Sequence, residues 1–192
     1  MANPTSPTPA SLASEIAAVR ARAARVTSGL TRDALNWQPD DGRRWSIGQC
    51  LDHLARSNDS YLNAIDAAIA IAAPRANGSP FVAKSNFLGR VFAGTLEPPP
   101  RVRVRASGSF VPASHVDPAE IAGRFEASLD RVLATIPRAW TIDPNRTRYR
   151  NPLARNFKVF NVTAGFQILT AHNRRHLWQA EQVRARPEFP RS

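Results

Sequence analysis

Apolar residues recur at every third or fourth position in four separate stretches of the 192-residue chain. This spacing is typical of an α-helix that buries one face. The stretches run from about residue 11 to 28, from 46 to 74, from 117 to 137, and from 161 to beyond 180. Four amphipathic segments of this length favour an all-α fold in which the helices bury their apolar faces against one another.

Capping signals support two of the predicted helix starts. Ser46 and Gln49 form a capping-box pattern, in which the serine hydroxyl accepts from the Gln49 amide and the glutamine side chain reaches back. Trp45 stands just before this box and is predicted to act as a hydrophobic staple on the same helix. Asp117 and Pro118 supply an N-cap and a proline at the first helical position. Local chemistry therefore agrees with the periodicity at both starts.

Two long irregular connections separate the predicted helices. Residues 74–117 are rich in proline and glycine, and residues 137–160 also lack a regular pattern. The first connection contains a cluster of apolar residues that could form one short helix or pack as a loop: Phe87, Leu88, Val91 and Phe92. We predict one domain over residues 11–192, a four-helix bundle with long irregular crossover connections. Residues 1–10, rich in Pro, Thr and Ser, are expected to form a disordered tail.

The composition narrows the function classes. Lys and Arg total 26 against 15 acidic residues, a net charge of +11, but all except Lys84 and Lys158 are arginines scattered along the chain. No block of like charge and no aromatic RNA-binding signature is present, so nucleic acid is disfavoured as a partner. The longest apolar run, at 67–73, is too short to cross a membrane. A single cysteine, Cys50, and no visible secretory signal favour the cytoplasm.

The histidines are the main candidates for chemistry. His172 and His176 are four residues apart, so both imidazoles lie on one face of the predicted last helix, where one metal ion could bind both. His53 lies on the inner face of the second helix and could complete a three-histidine site with an open coordination position. The alternative is that these are ordinary half-buried histidines. Asn173 occupies the position of the glutamate in HExxH, which argues against metalloprotease chemistry of that type.

Three further residues are candidates for a pocket beside these histidines. Ser57 follows His53 by four residues, and Gln179 extends the face of His176 by about one turn. Either could donate a hydrogen bond to a substrate or orient a ligand. Arg175 could bind an anionic substrate, although a surface ion pair is the alternative. No catalytic residue is assigned from the sequence.

The two histidine segments resemble the signature of the DinB/YfiT-like superfamily. They read WSIGQCLDHL at residues 45–54 and AHNRRHLWQAEQV at 171–183, and residues 35–39 and 110–112 are also similar to that family. The resemblance implies a four-helix bundle that holds one divalent metal ion, zinc or nickel and alternatively iron, through three histidines. Those ligands match His53, His172 and His176. It also implies that a low-molecular-weight thiol serves as cofactor in some members, and that members often dimerise.

Three classes of function remain open on these grounds. The first is a divalent-metal-dependent enzyme, S-transferase-like or hydrolytic, that activates water or a thiol toward a small-molecule substrate. The second is a non-catalytic metal- or small-ligand-binding module. The third, motivated by the charge, is a binder of nucleic acid or of an acidic partner. A homodimer through exposed aromatic residues such as Phe87 and Phe92 is compatible with each.

Overall fold

The computed structural model describes residues 6–75, 81–100, 106, 108–153 and 157–190. Within these ranges the chain is helical, and its β-contacts there are two isolated bridges. The α-helices are α1 (Pro9–Thr27), α2 (Arg32–Asn36), α3 (Ile47–Ala70), α4 (Phe87–Leu96), α5 (Pro118–Ala139) and α6 (Val162–Arg184), with a single 3-10 turn at Gly108–Phe110. The predicted all-α class is confirmed.

The four long helices form the bundle. Helices α3 and α1 each pack against both α5 and α6, so α1 and α3 occupy opposite corners. The core is built from the apolar faces of all four, with Ile16, Leu54, Phe125 and Leu177 among its buried side chains. The short helix α4, one of the two outcomes open for the first connection, packs on α6. No helix of the described residues is both long and apolar enough to span a membrane.

Helices α3 and α5 run parallel, and this explains the long connection between them. Three ion pairs link them at seven-residue intervals: Arg124 with Asp52 at 2.9 Å, Arg131 with Asp59 at 2.5 Å, and Arg138 with Asp66 at 2.8 Å. A parallel neighbour can be reached only by a chain that returns along the whole helix. For the 24 residues of α3 that distance is about 36 Å.

Helices α3 and α6 run antiparallel. His53 near the start of α3 lies beside His172 in the second half of α6. Towards the other end, Ile65 faces Gly165, where a Cβ atom would lie 2.9 Å from the isoleucine Cδ1. The missing side chain of Gly165 therefore allows the two helices to approach closely.

The helix boundaries differ from the predicted ones in a few places. Helix α1 begins at Pro9, because Thr8 caps it with a capping box through Ser11. Pro9 and Ala10 are thus helical, although the sequence analysis placed them in a disordered tail; proline is compatible with the first turn, where its missing amide has no partner to lose. Residues 1–5 of that tail lie outside the described residues. Helix α5 continues two residues past Pro137.

Many of the arginines are engaged within the fold. Across the described residues, twelve arginines form ion pairs with aspartate or glutamate side chains. One example is Arg174 of α6, which bridges Glu15 of α1 and Glu97 just after α4. These pairs place the acidic side chains beside a share of the arginines, so the positive charge is interrupted by carboxylates along the surface.

Candidate metal centre

Three histidines from two helices meet at one end of the α3–α6 interface. One ligand-competent nitrogen from each of His53, His172 and His176 lies within 4.8 Å of the other two. The Nε2 atoms of His53 and His172 are 3.2 Å apart. His53 and His176 are buried, and His172 is half-buried. The antiparallel packing of α3 and α6 thus joins the pair on α6 to the single histidine on α3.

Hydrogen bonds orient two of the three rings. The Nδ1–H of His53 donates to the carbonyl oxygen of Phe110 at 2.6 Å. The Nδ1–H of His176 donates to Oε1 of Gln179 at 3.0 Å. Because each acceptor is a carbonyl oxygen, the hydrogen must be on Nδ1, which leaves the Nε2 lone pair of each ring for a ligand.

The carbonyl of Phe110 is held in place by the segment that follows it. The Ala113 amide donates to Oδ2 of Asp52 at 2.8 Å, and Nε2 of Gln49 donates to the Ala113 carbonyl at 3.2 Å. These two side chains lie on the same helix as His53, which Asp52 precedes by one residue and Gln49 by four. The first long connection therefore forms part of the histidine site, because α3 binds its backbone at two points.

Asp52 is a fully buried carboxylate beside the candidate centre. Burial opposes its ionisation, but the amide of Ala113 and the guanidinium groups of Arg56 and Arg124 outweigh that effect and hold its pKa below the usual value. Arg56 Nε is 2.7 Å and Arg124 Nη1 is 2.9 Å from its oxygens. The aspartate thus stays charged and links α3, α5 and the segment next to Phe110.

All three imidazoles are neutral at pH 7. Burial lowers the pKa of each ring below 6.5, because a charged imidazolium loses its hydration there. For His172, burial together with electrostatic repulsion from the neighbouring His53 and Arg175 brings the pKa to about 3. The neutral imidazole is the form that binds a metal ion, so the electrostatics of the site and the requirement for ligation agree.

The geometry and the donor set both fit a divalent ion. Two nitrogens that each lie about 2.0–2.1 Å from one tetrahedral ion are about 3.3 Å apart, close to the 3.2 Å between His53 Nε2 and His172 Nε2. Imidazole nitrogens suit zinc, nickel and iron. Three protein ligands leave a coordination position for another molecule, as catalytic sites do. The protein would hold such an ion through His53, His172 and His176.

Other metal-binding residue types lie outside this cluster. Cys50, one turn before His53, is fully buried, and burial raises the pKa of its thiol. It is therefore a core residue. His115 is exposed on the connection before α5 and does not join the three-histidine group.

Trp45 is a residue of the site for which the sequence suggested only a packing role. Its half-buried indole lies 4.8 Å from the His53 ring and 5.6 Å from the His176 ring, measured between ring centroids. The carbonyl of Phe110 was also not identified from the sequence. A backbone oxygen carries no residue-type signal, whereas the position of Trp45 before the capping box could have placed it near the start of α3.

The three weaker candidates have different surroundings. Gln179 contacts His176 directly, as described above. Arg175 donates from Nη1 to the carbonyl of Thr95 at 3.2 Å, and its charge contributes to the lowered pKa of His172 and His176. Ser57 is buried one turn beyond His53, and its hydroxyl has no hydrogen-bond partner among the described residues.

The fold and the site define an all-α bundle with a three-histidine centre between two of its helices. Comparison with protein families agrees with this class: the profile of the DinB superfamily matches residues 15–180. The chain belongs to the DinB superfamily. No curated protein and no solved structure matches it.

Proposed function

We propose that the protein is a divalent-metal-dependent enzyme in which His53, His172 and His176 hold one ion. The observation that supports this most directly is the convergence of three neutral imidazole nitrogens within 4.8 Å of one another. Zinc or nickel is the expected ion, with iron as the alternative.

The proposed reaction is attack of water or a thiol on a small-molecule substrate with departure of a leaving group, which amounts to hydrolysis or S-transfer, respectively. A bound divalent ion would lower the pKa of a water molecule or of a low-molecular-weight thiol that joins it, and so supply a nucleophile at neutral pH. The protein keeps His53 and His176 in fixed orientations through Phe110 and Gln179, so little reorganisation is needed in the reaction.

The surrounding side chains suggest how a substrate would be held. The charge of Arg175 lies close enough to depress the pKa of two histidines, so it would attract an anionic substrate group. Trp45 offers a half-buried aromatic surface beside the rings of His53 and His176. Ser57 and Gln179 would supply hydrogen bonds.

Metal content tests the centre. Untagged wild-type protein is measured by elemental mass spectrometry beside His176→Ala and, as the matched control, His115→Ala on the exposed connection. We expect one zinc, nickel or iron per chain in the wild type and in His115→Ala, and none in His176→Ala. Wild-type protein that contains no metal and binds none of these ions when they are added would overturn the proposal.

Ligand exchange separates an enzyme from a module that only binds metal. Cobalt(II)-substituted protein is titrated with a small thiol, and its visible absorption spectrum is recorded. A spectrum that changes on addition supports an open position, and turnover is then sought with thiol-transfer and hydrolase substrates. A spectrum that no thiol or anion alters would favour a closed, non-catalytic centre.

A further inference from the structure

Two asparagines form a hydrogen-bonded pair in the centre of the bundle. Asn58 of α3 and Asn173 of α6 are both fully buried. Nδ2 of Asn173 donates to Oδ1 of Asn58 at 2.9 Å and to the carbonyl of Leu169 at 2.8 Å. Nδ2 of Asn58 donates to the hydroxyl of Ser128 on α5 at 3.1 Å. Both amides thus have hydrogen-bond partners although they are buried.

This pair joins the same two helices that carry the histidines. Asn173 stands between His172 and His176 in the sequence of α6, and Asn58 follows His53 by five residues on α3. The amide contact therefore lies just over one turn beyond His53 along α3 and between the two histidines along α6. Its geometry and the geometry of the cluster depend on the same relative position of α3 and α6.

Apolar packing alone specifies that position weakly. Every residue of α6 from Val162 to Ala171 is buried except the half-buried Gln167. A helix that is buried on all sides lacks the single apolar face that would set its rotation, and hydrophobic burial is not directional. The close fit of Ile65 against Gly165 restricts sliding at one point. A directional contact between the two helices adds a further preference for one register.

The amide pair is sensitive to the movements that would disrupt the site. A shift of α6 by one residue moves it about 1.5 Å and turns it about 100°. Such a shift breaks the 2.9 Å bond between Asn173 and Asn58. It also turns His172 and His176 away from His53. A buried polar contact that selects one helix register at some cost in stability is known in coiled coils.

We propose that Asn58 and Asn173 are positioning residues that set the register and rotation of α6 against α3, so that the three histidines meet before a metal ion binds. The expected effect on metal affinity rests on the proposed metal centre. The expected effect on helix register rests on the amide contacts alone. The two are tested by separate measurements.

The test replaces both asparagines with leucine, which has the same branching. Replacing both partners by apolar groups removes the hydrogen bond without leaving either partner unsatisfied across the α3–α6 contact, so we expect the melting temperature of Asn58→Leu/Asn173→Leu to stay near the wild-type value or rise. We expect its zinc Kd, measured by competition with a chromophoric chelator, to rise at least tenfold. Its cobalt spectrum should also change. Ser128→Ala is the matched control, because it removes a buried partner of Asn58 but leaves the α3–α6 contact; its zinc Kd should stay at the wild-type value.

A second measurement needs no metal. In chelator-treated wild-type protein, a nuclear Overhauser contact between the rings of His53 and His172 is expected, and it should be lost in the double variant. If the double variant does not fold, Asn58→Ala, which removes the acceptor for Asn173, takes its place in both measurements. Wild-type zinc affinity together with a retained contact would overturn the proposal. A wild type that binds no metal but loses the contact on substitution would instead contradict the proposed function and support the register role.

Discussion

Acidification should destabilise the metal-free protein between pH 7 and pH 5 through its buried histidines. The unfolded chain takes up a proton on each imidazole as the pH falls through about 6.5. In the native state burial lowers the pKa of His172 to about 3, and it lowers the pKa of His53 and His176 in the same direction. The unfolded state therefore binds more protons in this window, and the free energy of unfolding falls as the pH falls.

The size of the effect follows from the two pKa values of His172. The pKa is about 3 in the native state and about 6.5 in the unfolded state. Linkage then lowers the free energy of unfolding by about 2 kcal/mol for this one group between pH 7 and pH 5. His53 and His176 add to the loss with the same sign. A total stability of about 5–15 kcal/mol is usual for a domain, so the loss is a large share of it. The loss continues until the pH reaches the native pKa.

The assay is urea unfolding in the presence of a chelator, followed by circular dichroism at pH 7, 6 and 5. The lowest pH, 5, keeps most carboxylates ionised, so that the histidines dominate the change. His172→Gln removes one of the three titrating rings, so its loss between pH 7 and pH 5 should be smaller than that of the wild type by about 2 kcal/mol. A chelated wild type that is equally stable at both pH values would refute the account of three neutral buried imidazoles.

Three further substitutions test other parts of the site and the fold. Asp52→Ala removes the acceptor for the Ala113 amide and the carboxylate that pairs with Arg56 and, at 2.9 Å, with Arg124, so we expect a loss of about 2–3 kcal/mol by urea unfolding, and a much smaller loss for Asp52→Asn. Gln179→Ala removes the acceptor that orients a ligand ring; zinc affinity should fall about tenfold while stability changes little, and an unchanged Kd would argue against its orienting role. Gly89→Ala would place a Cβ atom 2.3 Å from that of Ala164; we expect a lower melting temperature by an amount equivalent to about 1–3 kcal/mol, and no change would show that α4 can move away from α6 freely.

The local features of the fold were readable from the sequence. The capping box at Ser46 and Gln49 and the N-cap at Asp117 are present as predicted. They could be predicted because a cap depends on residues within one turn of each other. The sequence pattern predicts the start of α1 two residues late. The reason is that Ser11 occupies the capping-box position that Glu or Gln usually holds.

The meeting of the histidines could be predicted only in part. The spacing of His172 and His176 places them on one face of any helix, whatever that helix packs against. The partner on α3 was expected from position on an apolar face and from family resemblance, not from geometry. The backbone of Phe110 and the indole of Trp45, which contact His53 from outside α6, entered the site only with the tertiary structure.

By itself the sequence determined the helices, their caps and the pairing of two histidines, because these depend on residues a few positions apart. Tertiary structure alone decided that α3 is parallel to α5 and antiparallel to α6, and hence that His53 faces His172. These relations depend on contacts between residues more than sixty positions apart. The chain reaches them through side-chain packing in three dimensions and through directional contacts such as the buried pair of Asn58 and Asn173.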